Sequence, residues 1–279
     1  MPTKLDLAYR AETQKVRDAL LRFARNQWNG LGSWRDADYE RMLGVLVPRI
    51  EAGQQKISDL TDAYIRRLAV EEFGSIRNGL PFSTSTEALR GVSSAEVYHR
   101  PFASTYTALS EGKSVTAAVS AGAERLADLI STGMQLAKTH SARNVIGRSR
   151  FQGFQRVLTG RENCALCVIA STQRYHRGDL LAIHPGCDCD CKPYSGEFDR
   201  QVINQTLLDE AYTEIATHLD HVSVGRDARD LGIGKTDAKG RPLSDFTDLI
   251  VTHEHGEIGP LLSWRDYTFT SAEDIAALS

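Results

Sequence analysis

The chain has 279 residues, 41% hydrophobic and 25% charged, enough apolar content to bury one large or two ordinary domain cores and too much for a disordered chain. A formal net charge of -3 argues against a general binder of nucleic acid or membrane surfaces. No apolar run approaches the roughly 20 residues of a membrane span, and the opening Met1-Pro2-Thr3-Lys4-Leu5-Asp6 lacks the apolar stretch of a signal peptide, so a reducing, cytosolic setting is expected.

Apolar residues recur with helical period from the start: Val16, Leu20 and Phe23 first, before a break at Asn29-Gly30 and Gly32. A helix start is expected at Ser33, with Asp36 three residues on, and Ile57, Leu60, Tyr64 and Leu68 recur with helical period further along. Asn78-Gly79-Leu80-Pro81 breaks the pattern again, because glycine permits unusual backbone angles and proline lacks a donor. Further starts fall at Ser93, followed by Glu96, and at Ser114, each with a side-chain oxygen able to cap backbone N–H groups. Leu126, Leu129, Ile130 and Met134 continue the period, and a last helix is expected over 142–158. Its Arg143, Arg148, Arg150 and Arg156 read as a solvated face. Trp28, Trp34 and Trp264 read as core or interface anchors.

Beyond residue 158 the texture changes. Leu180-Leu181-Ala182-Ile183 and Leu249-Ile250-Val251 read as strands. The stretch 199–218 reads as a helix with Val202, Ile203, Leu207, Leu208, Tyr212 and Ile215 on its apolar face. The stretch 225–244, rich in glycine and charge, reads as an exposed loop. The fold class is therefore α+β, with a mostly helical region over 1–158 followed by a small, zinc-stapled α+β domain over 159–279.

All five cysteines lie in one string. Cys164-Ala-Leu-Cys167 is followed, after sixteen intervening residues, by His184-Pro-Gly-Cys187-Asp-Cys189-Asp-Cys191. A Cys-x-x-Cys turn facing a His-x-x-Cys-x-Cys run is the spacing of a four-coordinate structural zinc site, and an odd, clustered count in a reducing compartment favours metal over a disulfide framework. Cys164 and Cys167 are the firmest pair, because an i, i+3 turn presents both sulfurs to one ion. His184 with one of Cys187 or Cys189 completes the preferred set. An all-cysteine site that omits His184 is the alternative, and Cys191 adds a further candidate, since alternate residues of an extended segment share a face. Four protein ligands leave no open position for catalytic water.

Other constellations are weaker. His253-Glu254-His255 places two imidazoles on one face of a strand but lacks the helical His-Glu-x-x-His spacing of a zinc protease. Gly232-Ile-Gly234-Lys235-Thr236 lacks the first glycine of a phosphate loop. His176 reads as a surface or structural histidine. A redox role for the Cys-x-x-Cys pair is less favoured than metal capture because of the neighbouring His and Cys.

The run Asn163-Cys164-Ala-Leu-Cys167-Val-Ile-Ala, then Tyr175-x-x-Gly178, then Ile183-His184-Pro185-Gly186-Cys187-Asp188-Cys189 resembles the Mu F-like minor head proteins of tailed bacteriophages. Downstream, His255-Gly256-Glu257-Ile258-Gly259-Pro260-Leu261-Leu262 with Phe269 is similar to the closing segment of phage relatives labelled minor capsid protein or capsid maturation protease. Cys191 is additional to that pattern. The resemblance implies a virion protein inside the head at the portal vertex, present in the host cytoplasm during assembly. It further implies a head morphogenesis role in which the helical region over 1–158 docks on the portal protein, with the major capsid or scaffold protein and packaged DNA as further contacts. Membranes have no part in it. The alternative it carries is a capsid maturation protease, although no motif identifies a nucleophile, base and orienting group. A zinc-ribbon nucleic-acid binder is disfavoured by the net acidity and by the Cys-x-Cys second half.

Overall fold

The computed structural model describes residues 2–32, 34–77, 79, 83–159, 163–184, 189–197, 200–222, 240, 250–264, 267 and 269. The chain splits into two compact units, 1–149 and 150–279, so the boundary falls ahead of the expected 158/159.

The first unit is helical: α1 (Lys4–Asn29), α2 (Asp36–Phe73), α3 (Thr86–Arg90), α4 (Ser94–Ser110) and α5 (Val115–Arg148). The starts of α1, α4 and α5 have a side-chain cap that the sequence supplies locally. Thr3 and Asp6 form a reciprocal capping box on α1, Ser93 accepts from Glu96 N, and Ser114 accepts from Ala117 N. Ser33 lies outside the described residues, and the position before α2 is Arg35, which makes no side-chain cap. Gly74 ends α2 in the left-handed region at φ 74°, where a Cβ would be strained.

The long α5 packs along α2 and α4, burying Leu126, Leu129, Ile130 and Met134 as their spacing predicts. Tyr64 donates to Asp6 Oδ1 at 2.8 Å, tying α2 to α1, while Ser141 donates to Ser58 O at 2.9 Å, tying α5 to α2. The wholly buried Trp28 donates its indole N–H to Val119 O at 3.1 Å, so α1 is held to α5 by one directional bond within an apolar contact.

The second unit mixes strands and helices. β1 (Gly153–Val157) is the centre of an antiparallel sheet of order β2-β1-β3, flanked by β2 (Arg174–His176) and β3 (Asp190–Tyr194). The short α6 (Ala165–Ser171) follows β1, and α7 (Gln205–Val222) follows β3. A hairpin of β4 (Ile250–His255) and β5 (Gly259–Trp264) completes the described elements, with Thr252 opposite Leu262. Its Leu262 N–H donates to Ala182 O at 2.8 Å, and Trp264 packs on the clusters around Cys167 and Ile169.

Several expected elements take another form. The helix expected over 142–158 stops at Arg148, and 153–157 is strand. Phe151 and Phe154 have the spacing of one helix face, but Gly147, Ser149 and Gly153 weaken a helix, and pairing on both sides of β1 decides the conformation. The stretch 180–183 is not a strand; it is an irregular segment that buries Leu180, Ala182 and Ile183. Helix α7 begins at Gln205, capped by Asn204 Oδ1 accepting from Leu207 N at 3.1 Å. Val202 and Ile203 precede it and instead run beside Gln173 and Thr172. The loop expected over 225–244, Gly240 excepted, and the Gly232–Thr236 stretch lie outside the described residues.

Candidate metal centre

Cys164 is the N-cap of α6, its Sγ accepting from the Cys167 N–H at 3.4 Å. That cap turns Cys167 back toward it, and the two sulfurs stand 3.4 Å apart. His184, supplied by the segment between β2 and β3, brings Nε2 to 2.8 Å from Cys164 Sγ. Among the described residues these three make the one Cys/His/Asp/Glu group whose donor atoms all lie within 4.8 Å of one another. In a tetrahedral zinc centre, bond lengths near 2.3 Å to sulfur and 2.0–2.1 Å to nitrogen put ligand atoms roughly 3.5–3.8 Å apart. The 3.4 Å sulfur pair comes close to that spacing, and the 2.8 Å contact between Cys164 and His184 is tighter than it, so the imidazole would draw back from Cys164 on taking up an ion. The soft thiol and imidazole donors make the group one that could bind a metal ion.

The electrostatics agree with the geometry. The Cys167 side chain beside it, aided by His184 and the Cys167 N–H, pulls the Cys164 thiol down to about 4, against an opposing push from burial. Thiolate is the form that ligates metal. Cys164 is exposed while Cys167 is buried, so the group sits at the rim of the core with one sulfur rooted in it.

Cys189 and Cys191 do not join this group. Cys189 is fully buried in a cluster with Leu166, Cys167, Ala170 and Ile183, where its Sγ accepts from Arg156 Nη1 at 3.7 Å. Cys191 lies on β3 directly opposite Arg156 of β1, also buried. Cys189 lies just before β3, and Asp190 between the two cysteines is buried as well, so no face alternation is seen here. Of the five residues expected to serve the metal, Cys164, Cys167 and His184 are together, Cys189 is elsewhere, and Cys187 lies outside the described residues.

Arg156 is the residue that helical periodicity misplaced. It is 2% exposed, donates to Leu181 O as well as to Cys189, and lies over the Phe154 ring at 5.5 Å. A buried guanidinium is costly unless its N–H groups find acceptors, so this side chain clamps the segments before His184 and β3 onto β1. The only sequence signal was its place between two aromatic residues and the cysteine string. Tyr175 stacks on Phe154 at 5.3 Å and donates to Ala170 O at 3.1 Å, fixing β2 to α6; burial pushes its hydroxyl pKa up.

His176 is exposed on β2, opposite Gly153, and lies outside the cluster. His253 and His255 do share a face of β4, each against the Phe269 ring. His255 Nδ1 accepts from the N–H groups of Glu257 at 3.3 Å and Ile258 at 3.5 Å, which closes the turn of the hairpin.

Fold and site together define an α+β chain with a metal-competent Cys/His cluster built into its second unit. Compared with protein-family models, with curated proteins and with solved structures, the chain matches none of them. Among the described residues, no helix is long and apolar enough to cross a membrane.

Proposed function

We propose that this chain is a minor capsid, or head morphogenesis, protein of a tailed bacteriophage, acting as a structural connector at the portal vertex inside the head and aiding assembly and DNA packaging or ejection. The observation that carries the proposal is the meeting of Cys164, Cys167 and His184, twenty positions apart in sequence at the widest, within 4.8 Å. These are residues on which the Mu F-like resemblance rests. One structural zinc ion per chain would be held by them, with Cys187 as the fourth donor, because Cys189 is committed to the Arg156 clamp and Cys187 stands three positions after His184. Such an ion would supply folding free energy to the unit that holds it. The portal protein is the principal partner, and the major capsid or scaffold protein and packaged DNA are further contacts.

The alternative reading is a capsid maturation protease, and His255 does not support it. Serine-protease chemistry needs a histidine whose Nδ1–H is oriented by a carboxylate; His255 uses Nδ1 as an acceptor from its own hairpin turn. The decisive experiment is cryo-electron microscopy of assembled particles with the chain labelled. A few copies on the portal inside the head are expected. Copies spread over the shell, or none in the particle, would overturn the connector. Scaffold cleavage blocked by His253→Ala or His255→Ala in particles holding normal amounts of the protein would replace it with the protease.

A further inference from the structure

A groove of about 480 Å³ runs between α1 and α5 of the helical unit. Its apolar lining includes Leu21 and Trp28 from α1 and Val119 and Ala123 from α5. Leu21, Val119 and Ala123 are half-buried, while Trp28 beneath them is wholly buried. The floor is preformed. The Trp28 indole is bonded to Val119 O, and a Cβ on Gly122 would come within 2.4 Å of its ring and 2.2 Å of Thr105 Oγ1. Glycine at 122 is thus what lets the indole lie under α5.

The rims carry opposite charges. Arg25 is exposed on the α1 bank, and Glu124 is exposed on the α5 bank, where its carboxylate accepts from Ser120 at 3.2 Å. An apolar floor between single charges of opposite sign is the pattern of a helix-in-groove interface, with an apolar centre and a polar rim. Asn29, Thr116 and Ser120, all exposed, add polar side chains to the rim. Two helical banks also present ridges between which a third helix can seat.

We infer that the α1/α5 groove is the docking site for one amphipathic α-helix of a partner protein. That helix carries apolar side chains at i, i+4 and i+7, with a carboxylate on the flank that meets Arg25 and an ammonium or guanidinium group on the flank that meets Glu124. The inference rests on the proposed connector role, in which the helical unit makes the protein contact, and it names the surface that does so.

The test uses the full-length protein and a fluorescent, helix-stapled peptide with Leu at i, i+4 and i+7, Glu along one flank and Lys along the other. A second peptide has Glu and Lys exchanged. Anisotropy titration should show the first peptide binding and Ala123→Arg weakening it at least tenfold while helical circular dichroism stays unchanged. The doubly reversed Arg25→Glu, Glu124→Lys variant should prefer the exchanged peptide. Equal binding of either peptide to wild type and Ala123→Arg, no binding of either to wild type, or a charge-reversed variant with unchanged preference would overturn the groove assignment. Because no particle enters this measurement, its failure leaves the portal-vertex location standing, and failure of the location leaves a demonstrated groove.

Discussion

Residues 1–149 draw on three helices of 26, 38 and 34 residues, whereas the strands among the described residues of 150–279 run three to six residues. A long amphipathic helix buries a continuous apolar stripe, so its stability accumulates along its length. A five-residue strand such as β1 has little area to bury and depends on what crosses it. In the second unit those crossing elements are specific: the Arg156 clamp, the Tyr175 stack and bond, and the Cys164–Cys167–His184 group. Distributed packing and a few directional ties respond differently to damage.

The largest effect that separates the two is metal removal. A fragment spanning 1–149 should keep its helical circular dichroism and melting temperature in chelator, while the full chain should lose protection of the 164–184 segment in hydrogen exchange. Structural zinc contributes about 10–16 kcal/mol of apparent binding free energy in small zinc-finger peptides, far more than any single contact in the sheet. Chelator that melts the helical fragment, or leaves 164–184 protected, breaks the contrast.

Ligand substitution sharpens it next. Cys164→Ser, Cys167→Ser and Cys187→Ser should each abolish zinc retention by elemental analysis, whereas Cys189→Ser and Cys191→Ser should retain about one ion per chain. Retention by Cys187→Ser together with loss from Cys189→Ser would mean that Cys189 leaves the Arg156 clamp to bind metal.

Core truncation comes third. Trp28→Ala removes a wholly buried indole and its bond to Val119, and should cost the 1–149 fragment about 3–5 kcal/mol in urea denaturation. Zinc content of the full chain should be unchanged. Removing Arg156 with Arg156→Ala strands the Leu181 carbonyl and the Cys189 sulfur, and about 1–3 kcal/mol of destabilisation is expected in the second unit. Ser114→Ala gives the smallest change, about 1 kcal/mol from loss of the α5 cap, read as a lowered melting temperature of the helical fragment alone.

Most of the helical unit was legible because its signals are local. Ser93 and Ser114 cap the next turn, and the apolar period of Leu126 to Met134 repeats over neighbours three and four apart. The Cys-x-x-Cys half of the metal group was legible for the same reason, as an N-cap turn that one short stretch contains. His184 was legible only as a candidate whose chemistry matched.

What the tertiary structure decided is everything that depends on a distant strand. Nothing local distinguishes the solvated arginines of a helix from Arg156, which is drawn inside because β3 and the 180–183 segment supply its acceptors. The apolar cluster around Leu166 and Ile183, with the Arg156 bond, holds Cys189 apart from the Cys/His group, and pairing on both sides makes 153–157 the sheet's middle strand instead of a helix. Residue chemistry and spacing along the chain thus determined that a thiol and imidazole group would form and that the first half would be helical. That Cys191 is buried opposite Arg156 was settled by hydrogen-bond register between strands more than thirty residues apart in sequence, and no local pattern encodes such a register.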